Sequence, residues 1–70
     1  MPSLKWKDAD EIGCLLHEAH RQTDPLSVRF SDLREMVLGL EGFADDPAAS
    51  TESALEAIQM AWREYAREDR

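Results

Sequence analysis

Residues 51–67, TESALEAIQMAWREYAR, read as one long helix, and the rest of the chain has to be arranged around it. Leu55, Ile58, Trp62 and Tyr65 recur at separations of three and four, the repeat that stacks side chains on one face of a helix. Ala54, Ala61 and Ala66 widen that stripe into a face too broad to leave in water. Upstream, Pro47 cannot lie inside a helix, and Ser50 offers a side-chain oxygen of the kind that caps the first free amides. The stripe therefore predicts the main buried surface, and it needs partners to cover it.

Two shorter helices supply those partners. Between about residues 9 and 20, Ile12, Leu15, Leu16 and Ala19 share a face, with Asp8 as the expected cap and Glu11 in the position of a capping-box acid. Between about residues 32 and 41, Leu33, Met36, Val37 and Leu40 do the same. Ser31 is the expected cap there, and Gly42 offers the left-handed backbone on which helices often stop. Asp24-Pro25 opens a turn, since proline fixes its own φ and drives the preceding residue out of helical space. Val28-Arg29-Phe30 alternates as a short extended piece would, and Leu4 and Trp6 are expected to pair beside it. The expected fold class is mainly α: a three-helix, winged-helix-like (helix-turn-helix) small domain with minor extended segments, residues 1–70 forming one unit. A chain this short buries only roughly 60% of its unfolded surface, which allows a core of about fifteen side chains and leaves little room for an enzyme pocket.

Charge is concentrated. Residues 41–56, EGFADDPAASTESALE, carry five carboxylates and no Lys or Arg, and supply most of the formal charge of -7. Such a field of one sign repels itself and favours a cationic partner, either a basic protein face or a metal ion. It disfavours nucleic acid, which requires clustered Lys and Arg, and residues 32–41 offer a DNA groove only Arg34 against Asp32 and Glu35. No apolar run approaches the ~20 residues of a membrane span and the start lacks the apolar stretch of a signal peptide, so the cytoplasm is the expected location. A single Cys14 agrees with a reducing compartment.

Two sets of side chains could do chemistry. Cys14 and His17 stand three apart on the first helix with Asp10 and His20 near, a spacing that can bring soft ligands to one metal. By helical angle they lie opposite Ile12, Leu15, Leu16 and Ala19, so the simpler reading is a solvent-facing set, and nothing provides the third group or oxyanion site that a Cys-His nucleophile needs. Trp6, Trp62 and Tyr65 fall on apolar stripes and read as core or core-edge aromatics. The carboxylates are the stronger candidates: Glu11 and Glu18 share a helix stripe, Asp8 sits at its edge, and Asp45 and Asp46 adjoin the start of the last helix.

A family likeness is spread along the whole chain. Its residues are Leu4-Lys5-Trp6 with Asp8 and Glu11-Ile12-Gly13; Asp24-Pro25 with Val28-Arg29-Phe30 and Asp32-Leu33; Leu40-Glu41 with Phe43 and Asp45-Asp46-Pro47; and Ser50 followed by Leu55-Glu56-Ala57-Ile58 and Trp62. In order and spacing, from about Leu4 to Glu64, these blocks resemble the IscX family, small acidic bacterial proteins of iron-sulfur cluster assembly. The resemblance implies a helical, winged-helix-like monomer without catalytic activity. It also implies an adaptor or regulator that binds the cysteine desulfurase of that system, overlapping or competing with bacterial frataxin, and that binds iron, Fe(II) or Fe(III), weakly through surface acids.

Carried over residue by residue, the likeness implies metal ligands among Asp8, Glu11, Glu41, Asp45 and Asp46, and a partner-binding face of Asp8, Glu11, Asp24, Asp32, Glu41, Asp45 and Asp46, which Glu18 joins from the stripe it shares with Glu11. Asp24 and Asp32 also stand where turns and helix starts use carboxylates, whereas Glu41, Asp45 and Asp46 have the least evident structural role. Cys14, His17 and His20 lie outside the family pattern, and residues 65–70, with Arg67 and Arg70, are more basic than its usual tail. The competing readings are a generic acidic interaction module, such as an inhibitor that imitates nucleic acid, and an enzyme using Cys14 and His17.

Overall fold

Three helices carry the structure, α1 (Ala9–Ala19), α2 (Phe30–Leu38) and α3 (Glu52–Glu68), with 3₁₀ turns at Pro25–Ser27 and Pro47–Ala49 between them. The computed structural model describes residues 3–68; Arg70, at the end of the basic tail, lies outside them. The mainly helical, three-helix class expected from the periodicity is what is found, with helix limits for α1 and α3 within a residue of those expected. No helix among the described residues is long and apolar enough to cross a membrane.

The α3 stripe is the centre of the core. Ile58 and Trp62 have no exposed surface and Leu55 almost none, and they meet Ile12 and Leu16 of α1 and Leu33 and Val37 of α2. With Leu4 and Trp6 these make nine buried side chains, fewer than the fifteen or so expected; Leu15, Met36 and Leu40 are only half-buried and Ala19 is exposed. α1 and α3 approach closely at Gly13, which sits against Ala61 and Trp62: a β-carbon built on Gly13 would lie 2.7 Å from Ala61 Cβ and 2.7 Å from Trp62 N. A residue that weakens an isolated helix is here the one that lets α1 and α3 touch.

The helix caps differ from the expected ones; at α2 and α3 the cause is a contact distant in sequence, at α1 a local bond. Thr51, not Ser50, caps α3, its Oγ1 accepting from Ala54 N–H at 3.1 Å. The Ser50 hydroxyl instead donates to Pro47 O and accepts from Arg34 Nε at 3.1 Å, which ties α2 to the turn ahead of α3. α2 begins at Phe30 rather than about residue 32, with Arg29 as its extended cap and Ser31 inside the first turn. Packing of Val28 and Phe30 against the core outweighs the preference for a polar cap. The same helix ends at Leu38 rather than near residue 41; Leu40 N–H closes a tight turn on Val37 O at 3.0 Å, and Gly42, φ +89, lies beyond it. Asp8 does not cap α1: its carboxylate accepts from Lys5 N–H at 2.9 Å, and no capping box forms with Glu11.

Leu4 and Trp6 pair with a different segment from the one expected. Val28 and Arg29 are extended, but Leu4 makes a parallel bridge to Phe43, Leu4 N–H donating to Gly42 O at 2.9 Å and Ala44 N–H to Leu4 O at 3.0 Å. Trp6 stacks edge-on against Phe43 with ring centroids 4.8 Å apart, and its indole N–H donates to Asp46 O at 2.8 Å. This bridge is the only sheet-like pairing among the described residues, and the winged-helix likeness has no further support.

Candidate functional site

The eight acids expected to bind a partner divide into two chemically different groups. Asp8, Asp24, Asp45 and Asp46 each hold a backbone amide. Asp24 accepts from Leu26 N–H at 3.0 Å and Asp46 from Ala48 N–H at 2.9 Å, so each opens a 3₁₀ turn through the proline that follows it. Asp45 uses both oxygens, accepting from Trp6 N–H at 3.0 Å and from its neighbour Asp46 N–H at 2.8 Å. The expectation that Asp45 and Asp46 are among the acids with the least evident structural role is therefore corrected: with Asp8 they fasten the amides of Lys5 and Trp6 and the loop against which Leu4–Trp6 lies. Lys5 adds to this junction through Nζ, which donates to Ala44 O at 2.6 Å.

Glu11, Glu18, Asp32 and Glu41 form the second group. All four are exposed, and among the described residues none has a side-chain hydrogen bond or ion pair. Glu52 and Glu56, on α3, are in the same condition; they belong to the acidic run 41–56, and that membership was the signal that could have placed them among the candidates. A carboxylate that holds no part of its own fold remains hydrated and available, and it loses only water when a cation approaches. Arg34, the one base that a DNA-reading α2 could have used, is turned inward to Pro47 O at 3.2 Å and to Ser50.

The metal-ligand expectation meets a specific geometry. Asp8, Asp45 and Asp46 do come together, around Lys5 and Trp6, but their oxygens already accept amides and Lys5 and Lys7 stand near Asp45. Among the described residues no three of His, Cys, Asp and Glu converge in a metal-holding arrangement. In the soft-ligand set of α1, Cys14 and His17 border one hollow with Glu18, Arg21, Tyr65 and Glu68, without a third ligand converging on them among the described residues. Cys14 is half-buried rather than solvent-facing, in a groove with Asp10, Glu11, Leu15 and Tyr65, while the His20 ring is 6.2 Å from that of Trp62. Tyr65, at the core edge as expected, donates its hydroxyl to Asp10 at 3.0 Å; that bond, burial and the nearby negative charge hold the phenol protonated above its ordinary range.

Asp45 makes the junction sensitive to acid. Its two amide donors, Trp6 first and Asp46 second, with the charges of Lys5 and Lys7, hold its carboxyl below the ordinary value of 3.8. A depressed folded-state pKa contributes stability that is full above the unfolded value and is lost as pH falls through the folded one. Because the group is at the surface, the contribution is small. The melting temperature of the parent is expected to fall more steeply than that of Asp45→Asn below about pH 4. Parallel curves for the two proteins would show that the Asp45 charge has no part in holding the N-terminal segment.

Comparison with known proteins adds a family and a relative. The model of a family described as iron-sulphur cluster assembly matches residues 4–67. An uncharacterised protein of Pseudomonas aeruginosa is 52% identical over 62 residues, a match that spans 89% of this chain and 94% of that protein.

Proposed function

We propose, starting from the premise that this chain belongs to the IscX family of iron-sulphur cluster assembly proteins, that it serves that assembly as an adaptor or regulator and not as a catalyst. Its partner in this reading is the cysteine desulfurase of the system, met through a basic face and shared with bacterial frataxin. One observation supports the reading above others: Glu11, Glu18, Asp32 and Glu41 are exposed and make no side-chain hydrogen bond or ion pair among the described residues. A basic partner is steered onto such a face, and the complex weakens as salt rises. The activity belongs to the cytoplasm, where the chain acts as a monomer.

The deciding experiment is a binding titration with the purified desulfurase at two ionic strengths. Glu11→Lys with Glu18→Lys should weaken binding by about tenfold or more at low salt while the urea midpoint falls only slightly, since neither side chain makes a hydrogen bond or ion pair among the described residues and only Glu11 lies in a helix's first turn. If the double variant binds as the parent does, the α1 stripe is not the contact. Asp45 and Asp46 are unsuitable for this test because their substitution disturbs the Lys5–Trp6 junction.

Iron binding is the accessory property in this proposal. Carboxylates that stand singly or in pairs offer hard oxygen ligands without a cavity, so Fe(II) or Fe(III) binds weakly and Ca²⁺ or Mn²⁺ competes at similar occupancy. Paramagnetic broadening in an NMR titration of the same protein should centre on the amides around Glu11 and Glu41. Broadening centred on Cys14, His17 and His20, and abolished by Cys14→Ser with His17→Ala, would transfer the site to α1's soft ligands.

A further inference from the structure

Part of the positive charge of this acidic molecule borders one region of its surface. A cleft of about 320 Å³ lies between the 3₁₀ turn Pro25–Ser27 and the C-terminal half of α3, lined by Asp24, Pro25, Leu26, Arg63, Ala66 and Arg67. A neighbouring hollow of about 200 Å³ shares Asp24, Pro25 and Ala66 with it and adds Arg21. Three of the eight Lys and Arg residues thus border one region of a chain whose formal charge is -7. The only acid in the lining of the larger cleft, Asp24, already accepts Leu26 N–H. At the lip stands Leu26, 57% exposed, one of two large hydrophobic side chains so exposed among the described residues.

We propose that this cleft is a second docking surface, one that receives an acidic peptide segment of a partner protein bearing an apolar side chain. Arg63 and Arg67 are one turn apart on α3, and a guanidinium donates two parallel N–H bonds to a carboxylate. Arg67 is now paired with Glu64 at 3.4 Å, an i,i+3 pair with both side chains more than half exposed, and such a pair yields readily to a better-placed carboxylate. Leu26 supplies the apolar contact that anchors the segment. Nucleic acid fits less well, because its backbone brings no apolar group to Leu26 and its dense charge is repelled by the rest of the molecule. The reading uses neither Glu11 nor Glu18, so its failure leaves the acidic-face proposal untouched. If both hold, the molecule binds a basic partner and an acidic one, through surfaces that adjoin where Glu18 and Arg21 border one hollow.

The probe is a fluorescein-labelled peptide of alternating Asp and Leu, followed by fluorescence anisotropy with the full chain, against a Lys-Leu peptide and a single-stranded oligonucleotide of equal charge. Arg63→Glu with Arg67→Glu should weaken Asp-Leu binding by about tenfold or more, and Leu26→Ser by about threefold or more, with the affinity of the parent falling as salt rises. Chemical-shift changes on the unaltered protein should cluster at Leu26, Arg63, Ala66 and Arg67, a readout that does not depend on the folding of any variant. The proposal is overturned if the Lys-Leu peptide or the oligonucleotide binds as tightly as the Asp-Leu peptide, if a folded double variant binds as the parent does, or if the shifts lie elsewhere.

Discussion

Trp62→Ala should lower the free energy of unfolding by about 3–5 kcal/mol. Trp62 has no exposed surface and is the largest side chain among the fully buried ones. Its removal leaves a cavity between α1 and α3, which shorter neighbours cannot fill without moving the helices. Since a domain of this size has only about 5–15 kcal/mol to lose, the variant should be partly unfolded at growth temperature. Trp62 Nε1 is buried without a hydrogen-bond partner among the described residues, so Trp62→Phe removes an unsatisfied donor along with ring volume and should be much milder than Trp62→Ala. Urea melts of the two variants check both statements, and a loss under about 1 kcal/mol for Trp62→Ala would remove Trp62 from the core.

Gly13→Ala should also destabilise, against the usual direction of a glycine-to-alanine change within a helix. Alanine favours an isolated helix by about 1 kcal/mol over glycine. Here the added methyl meets Ala61 Cβ and Trp62 N at 2.7 Å and the Ala61 carbonyl carbon at 2.9 Å, two of them backbone atoms that cannot swing aside. α1 and α3 must separate along their main contact, and overpacking of this kind outweighs the propensity gain, for a net loss of about 2 kcal/mol. A denaturant midpoint at or above that of the parent would show that the helices adjust freely. The pairing of Gly13→Ala with Ala61→Gly should cost less than the sum of the two single substitutions, because it removes one of the three close atoms.

The amphipathic helices were legible because their signal is local. Leu55, Ile58 and Trp62 announce the buried face of α3 through spacing alone, and all three are in the core. Ser31 and Ser50 show where the local signal fails: each is a good cap by composition, yet Phe30 packing and Arg34 hydrogen bonding decide the boundaries from a distance. Asp45 was unreadable for the same reason, since its amide partner Trp6 is 39 positions away in the chain. Gly13 carried a usable hint, a glycine in the middle of an apolar helix, which is tolerated where another backbone approaches closely. Among the acids, composition identified the charged surface, but only coordinates separate Glu11, Glu18, Asp32 and Glu41 from the four aspartates engaged with backbone amides.

The attachment of Leu4–Trp6 to residues 42–46 bears on the order in which the molecule assembles and opens. Lys5 reaches Ala44 across 39 positions and the Trp6 indole reaches Asp46 across 40, whereas the helical hydrogen bonds close over four. Loop closure over such a span is slow relative to helix formation, so the N-terminal segment is the piece expected to lock on last. It is held by a few bonds at the surface and by Leu4 and Trp6, two of the buried core side chains. In hydrogen exchange the amides of Leu4 and Ala44 should therefore open together and well before those of α3, as a separate small unit of unfolding at the end of the chain.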